Sequence, residues 1–212
     1  MKLRGVVFDL GGVVFESPLE AIARFEENSG LPPGLVNRVV QTRGEAGAWA
    51  RHERGELSRE EFLAEFAGEL ALEGFTVDTA RLMREVEASM KPRPRMLAAV
   101  ARVREAGYRV AALTNNWEPL GDRPWASLFD VFCESVVEGV RKPEPEIYRR
   151  CLGRLGVEAE ETLMLDDLGP NLKTARELGM MTIKVTSEAQ ALAVLADTLG
   201  VELQGPELPS TR

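Results

Sequence analysis

The chain is short of cysteine. Its two thiols, Cys133 and Cys151, form neither a CxxC pair nor a zinc-ligand pattern, so they are expected as buried free thiols in a reducing cytoplasm. There is no apolar run near the roughly 20 residues that span a bilayer, which excludes a membrane-spanning helix. Asp9 interrupts the first apolar run and no small-residue cleavage site follows it, so no secretory signal is expected and the location is read as cytoplasmic. Low-complexity segments and internal repeats are missing. Clustered basic residues are missing too. The net charge of −8 is spread along the chain, and the 26 cations comprise 21 arginines and only 5 lysines. Binding to a nucleic-acid backbone needs a cationic patch, so that class of partner is excluded. A small anionic substrate is not, because a metal and a few local cations override the global sign.

What is present is an alternation of short apolar runs with helix-length amphipathic segments, the pattern of a parallel α/β sheet. The runs are 3–8, 108–113, 132–137, 162–165 and 181–185. Helices are predicted over 93–105, 145–155, 171–178 and 188–199. Gly107, Gly156 and Gly179 each stand just past a helix, where a C-terminal cap belongs. The stretch from Glu16 to Met90 has no convincing strand and reads as about four helices. One of them opens at a capping box, Ser58 with Glu61, followed by Phe62, Leu63, Phe66 and Leu70 at helical spacing. The division expected is a Rossmann-like core from 1–15 and 92–204, an all-helical cap domain from 16–91, and a flexible tail from 205–212. Lys91-Pro92-Arg93-Pro94 is the expected return hinge.

Several apolar runs end in polar residues: Asp9, Thr114-Asn115-Asn116 and Asp166-Asp167. In a doubly wound parallel sheet these carboxyl-terminal strand ends share one edge, where ligands bind. Lys142 lies between them in sequence, just before a helix. A turn, a strand end, a surface lysine and a helix cap would each explain one piece alone. Together, in this order, the pieces suit phosphoryl transfer. A carboxylate attacking a phosphate dianion needs a hard cation such as Mg²⁺, oxygen ligands for it, and a lysine to offset charge.

The motifs carry a resemblance. FDLGGVVF from Phe8, LTNN from Leu113, RKPEPEIY from Arg141 and MLDDLGPNLKTARELGM from Met164 resemble the four motifs of the haloacid dehalogenase superfamily. WARHERGELSREEF, from Trp49, resembles the helical cap of its phosphatases related to soluble epoxide hydrolase. The resemblance covers nearly the whole chain. It implies an α/β, doubly wound parallel sheet with an inserted all-helical cap, and a cytoplasmic Mg²⁺-dependent hydrolase of a small phosphorylated metabolite. Asp9 would be the nucleophile and a metal ligand. Gly11 would offer a carbonyl to the metal. Thr114 and Asn115 would hold phosphoryl oxygens, and Lys142 would pair with phosphate and nucleophile. Asp167 would bind the metal directly and Asp166 directly or through water, while Asn171 supports their loop.

One departure stands out. Most phosphatases of the superfamily carry an acid/base aspartate two residues after the nucleophile, and here that position is Gly11. His52, from the cap, is the alternative proton carrier to test. A phosphonate hydrolase would need a cap lysine, and none lies between Glu16 and Met90. A dehalogenase would need no metal, against the Asp166-Asp167 pair. A non-catalytic binding module on the same fold is the competing reading, but binding alone needs no nucleophile. Trp49, Trp117 and Trp125 are assigned to core packing rather than to a pocket.

Overall fold

The computed structural model describes residues 2–203. The chain enters through β1 (Gly5–Phe8) and passes at once into five helices: α1 (Pro18–Asn28), α2 (Leu35–Arg43), α3 (Ala48–Glu53), α4 (Arg59–Leu72) and α5 (Thr79–Ser89). It returns through α6 (Pro94–Glu105), β2 (Arg109–Thr114), β3 (Val131–Glu134), α7 (Ser135–Glu138), α8 (Pro145–Leu155), β4 (Thr162–Asp166), α9 (Gly169–Glu177), β5 (Met181–Lys184) and α10 (Glu188–Leu199). The strands form one parallel sheet in the order β3-β2-β1-β4-β5.

Alternation along the strands explains the double winding. Val6, Phe8, Val110, Ala112, Leu163 and Leu165 face the layer of α6 and α10. Val7, Ala111, Leu113, Cys133 and Met164 face α8. Each face is buried, as a parallel sheet requires. Both cysteines are buried free thiols. Because β1 is central, and the chain leaves it first toward β2 and later toward β4, the strand order reverses beside it. The crevice at such a reversal is the ligand position of this architecture.

Helices α1–α5 bury a core of their own, built around Phe25, Leu35, Phe62, Phe66, Leu70 and Leu82. The capping box of α4 forms as expected: Glu61 N–H donates to Ser58 Oγ (3.3 Å) and Ser58 N–H to Glu61 Oε2 (2.8 Å). The two chain crossings into this insert run side by side. Phe15 bridges Pro92, Glu16 N–H donates to the Lys91 carbonyl (2.9 Å), and Arg93 N–H to that of Val14 (2.8 Å). The expected hinge is therefore a paired two-strand neck.

One strand is shorter than expected. The apolar run 132–137 is strand only to Glu134, and Ser135–Glu138 turns into helix. Val137 is 62% exposed, so its apolar character serves no strand core. The expected tail, 205–212, lies outside the described residues. Among those residues no helix is long and apolar enough to cross a membrane.

Candidate active site

Register brings the strand ends together. Phe8 pairs with Leu165 and with Ala112, so Asp9 lies beside Asp166, and Asp9 N–H donates to the Leu165 carbonyl (2.9 Å). Lys142 reaches this pair from the loop before α8. Its Nζ lies 2.8 Å from Asp9 Oδ1 and 2.8 Å from Asp166 Oδ2, and the side chain is 1% exposed. Asp9 Oδ1 also accepts from Leu10 N–H (2.7 Å). Asp166 is held by further donors: Oδ1 takes Leu168 N–H (2.7 Å), and both of its oxygens take Asn171 Nδ2 (3.1 and 3.0 Å). Asn171 thus fixes the second carboxylate, and its own carbonyl accepts from the Tyr148 hydroxyl (3.0 Å).

The Asn115 side chain is paired with the backbone of Lys142. Its Nδ2 donates to the Lys142 carbonyl (2.9 Å) and its Oδ1 accepts from Lys142 N–H (2.8 Å). The amide side chain is spent on holding the lysine's backbone. Thr114, buried at the end of β2, stands beside it.

Carboxylate oxygens of Asp9, Asp166 and Asp167 all lie within 4.8 Å of one another. Gly12 makes room for the third. An added Cβ there would sit 2.2 Å from Asp167 Oδ2, and the backbone has φ +75°, so only glycine fits. Arg93 secures the same turn by donating Nη1 to the Gly12 carbonyl (2.9 Å). Three carboxylates against one ammonium leave a formal charge of about −2 in a buried space, and isolated buried charge is costly. This crowding shifts the proton equilibria of the cluster. Burial, opposed by Lys142 and reinforced by Asp166 and Asp167, pushes the Asp9 carboxyl well above the usual range. Burial and Asp166 push Asp167 up as well. For Lys142, burial works against the charged form, but Asp166 and Asp9 outweigh it and hold the ammonium charged. An anionic all-oxygen donor set of this kind fits a hard divalent cation.

A cavity of about 170 Å³ opens above these groups. Asp9, Gly11, Thr114, Asn115, Lys142, Asp167 and Asn171 all line it, so the sequence-selected residues share one space, with Asp166 buried beneath. The insert adds walls that include Ile22, Val36, Val40, Trp49 and Glu53, and the core adds Trp117, Arg141 and Leu168. A second cavity of about 310 Å³ adjoins it, sharing Met90, Asn115 and Trp117, and is walled by Leu10, Phe15, Leu120 and Trp125. Trp49, Trp117 and Trp125 are therefore cavity walls as well as packing groups, contrary to the expectation of core packing alone. His52 is not a wall of the cavity that holds Asp9. It stacks on Phe62 (centroids 4.3 Å apart) and its Nδ1–H donates to the Leu57 carbonyl (3.0 Å).

Two groups of residues escaped the sequence reading. Glu134, at the end of β3, accepts from Asn116 Nδ2 (2.7 Å) and Leu120 N–H (2.5 Å), shaping the loop that carries Trp117. A carboxylate closing an apolar run was the available signal, as at Asp9. Arg141, Glu53 and Glu45 meet across 88 and 96 residues of sequence, where no local signal exists.

Comparison with known proteins gives the family and the fold. A family model described as haloacid dehalogenase-like hydrolase matches residues 3–179. The chain is 36% identical over 99% of its length to acyl-CoA dehydrogenase family member 10 of Mus musculus and 34% identical over its whole length to bifunctional epoxide hydrolase 2 of Sus scrofa. It spans 20% and 41% of those two proteins. A sesquiterpene phosphatase of Aspergillus oryzae is 24% identical over 93% of this chain and 97% of its own. Among solved structures, an HAD-like family hydrolase from Porphyromonas gingivalis superposes with TM-score 0.68 at 22% identity, covering 94% of this chain and 98% of that one. An HAD family enzyme of Bacteroides thetaiotaomicron, in complex with magnesium and inorganic phosphate, superposes with TM-score 0.61 at 22% identity over 86% and 93%. These structures share the fold.

Proposed function

The chain belongs to the haloacid dehalogenase-like hydrolases, and on that premise we propose that it is a Mg²⁺-dependent phosphatase acting on a small phosphorylated metabolite. The observation that carries this reading is the buried Lys142 ammonium shared by Asp9 and Asp166, with Asp167 facing them.

In the proposed reaction the Asp9 carboxylate attacks phosphorus, the P–O ester bond breaks, the phosphoryl group stays on Asp9, and the leaving oxygen departs with the bonding pair and takes its proton from water. Water then attacks that phosphorus, inorganic phosphate departs and the carboxylate returns. Lys142 holds Asp9 in one orientation and offsets charge on the phosphoryl oxygens. Thr114 and the Asn115 backbone hold those oxygens, the Asn115 side chain being engaged with Lys142. Mg²⁺, held by Asp9, Asp167, the Gly11 carbonyl and Asp166 directly or through water, would supply the positive charge that lets two anions meet. Asn171 keeps Asp166 in place.

In this reading the insert, 16–91, is a cap that closes over the core and screens the reaction from water. Its apolar walls and the neighbouring cavity suit an ester with an apolar organic part, in line with the name of the sesquiterpene phosphatase relative. Gly11 supplies no side chain to protonate the leaving group, so esters of acidic alcohols should react best. The two free thiols suit the cytoplasm. The test is phosphate release from a panel of sugar, acyl, lipid, nucleotide and aryl monophosphates, in Mg²⁺ and in EDTA. Turnover in Mg²⁺ that EDTA abolishes is expected. Equal rates in both would remove the metal, and no release from any member would leave a binding module.

A further inference from the structure

We propose that Arg141 is a positioning residue that clasps the helical insert to the loop carrying Lys142, in addition to the chemistry assigned above to Asp9. Arg141 is joined to Lys142 by one peptide bond, and the Lys142 backbone is held on its far side by the Asn115 amide. The Arg141 side chain turns the other way and crosses to the insert. Its Nε lies 2.6 Å from Glu53 Oε2 and its Nη1 2.9 Å from Glu45 Oε1. The pair with Glu53 is shielded, its side chains being 15% and 9% exposed, while Glu45 adds its carboxylate from the solvent side. The second Glu53 oxygen accepts from Trp49 Nε1 (2.9 Å). Trp49, Glu53, Arg141 and Lys142 all border the cavity of Asp9.

The backbone seals the same seam. An added Cβ on Gly55, just past α3, would lie 3.0 Å from the Val136 carbonyl of α7. Only glycine lets the insert come that close. The insert meets the core both where the chain crosses into it and along this seam, where Arg54 also lies 3.9 Å from Glu144. The crossing is the covalent neck at Phe15 and Pro92, and the seam holds the Arg141–Glu53–Glu45 contact. The neck acts as a hinge and the ion pairs as the latch. Arginine suits the latch because its planar fork engages two carboxylates at fixed angles, which a lysine cannot do. Closing the insert therefore pulls directly on the residue before Lys142. The cation that pairs with nucleophile and phosphate is then set in place only when the cavity is covered.

The experiment uses the full chain with Arg141→Met, Glu53→Gln and the double variant. The first readout, hydrogen–deuterium exchange in segments 48–57 and 136–142, needs no substrate. Each single variant is expected to speed exchange in both segments together by about tenfold, the scale of one local opening contact. The second readout is steady-state kinetics. In each single variant kcat should fall by about tenfold with KM within about twofold, and the double variant should be no worse than the poorer single, as expected for two ends of one contact. Arg141→Lys, which keeps the charge without the fork, should fall between wild type and Arg141→Met. Unchanged exchange in both segments would overturn the clasp. Faster exchange with unchanged kcat, or additive losses in the double variant, would overturn its coupling to Lys142. Should the wild type hydrolyse no phosphate ester, the Asp9 reading fails, and the exchange data still decide the clasp.

Discussion

The Lys142 ammonium lies 2.8 Å from Asp9 Oδ1 with both groups buried, and it is shared with Asp166. Removing it should cost more than one ion pair. Lys142→Met keeps the side-chain length but leaves Asp9 and Asp166 without their paired cation. Breaking one partner of a buried pair typically costs about 3–5 kcal/mol. Denaturant melts in EDTA at pH 7 should show a loss on that scale, and Mg²⁺ should return part of it. Turnover should fall further than binding, by about 10²-fold or more, as for other lost electrostatic contacts to a transition state. A variant as stable as wild type in EDTA would place Lys142 outside the balance of charge.

Asp9→Asn is expected to do the opposite to stability while removing turnover. The amide still accepts from Leu10 N–H and faces Lys142, but one of three crowded negative charges is gone. Asp9 has a folded-state pKa raised above its unfolded value, which is about 3.9. A raised group stabilises the fold below the unfolded pKa, and that contribution is lost as pH rises through the folded pKa. Metal-free wild type should therefore lose stability from about pH 4 upward relative to the Asn variant. In EDTA the two should melt together near the bottom of that window, and the variant should melt higher at pH 7. A lower melting temperature for Asp9→Asn at pH 7 contradicts the crowding. Retention of more than about a tenth of kcat, a loss under ~1.4 kcal/mol, contradicts covalent catalysis.

Most of this site was legible because its parts sit where short apolar runs stop. Asp9, Thr114 and Asp166 are at or just after strand ends, so the sheet itself brings them together. The same logic overran at Val136 and Val137, since apolar residues in a short helix read like more strand. Asn115 follows β2 and borders the cavity, but its side-chain partner, the Lys142 backbone, depends on a loop path that no spacing encodes. Glu53 and Arg141 were opaque for the same reason. Each looks like an ordinary charge on a solvated element until the insert folds over the core.

His52 should prove structural. Burial lowers its pKa below the usual 6.5, and its Nε2 has no partner among the described residues. A histidine kept neutral in the fold contributes stability that is fully present above the unfolded pKa and is lost as pH falls below it. In Mg²⁺, the melting temperature of wild type should therefore drop between about pH 6.5 and pH 5. His52→Phe should give a shallower drop over that range, with a cost of ~1 kcal/mol at pH 7.5 for the lost bond to the Leu57 carbonyl. Turnover should be retained. If it vanished while the melting curve stayed unchanged, His52 would be the missing proton carrier.

Gly11 is the remaining test, and the structure separates it from its neighbour. At Gly12 a side chain is impossible, for reasons of both φ and the Asp167 carboxylate. At Gly11 the backbone is not in the left-handed region, and an added Cβ meets only the Pro18 ring, at 3.3 and 3.6 Å. Pro18 opens α1, so the start of that helix must yield by a few tenths of an ångström. Gly11→Asp should fold with a small drop in melting temperature, whereas Gly12→Ala should be severely destabilised. The new carboxyl would border the cavity of Asp9, placed to protonate a departing alkoxide and then to activate water. General acid–base catalysis is typically worth about 10²–10⁴-fold. That gain should appear for alkyl phosphates, whose leaving groups need the proton most. Aryl phosphates should gain little, so the dependence of rate on leaving-group pKa should flatten. Wild type should show the steep dependence, and a burst of alcohol release with a good aryl substrate, because water must attack the phosphorylated Asp9 without a placed base. If a folded Gly11→Asp variant gains nothing on alkyl phosphates and wild type already cleaves them as fast as aryl ones, the glycine is no deficit. The proton must then come from water or from the substrate itself, since His52 stacks on Phe62 away from that cavity.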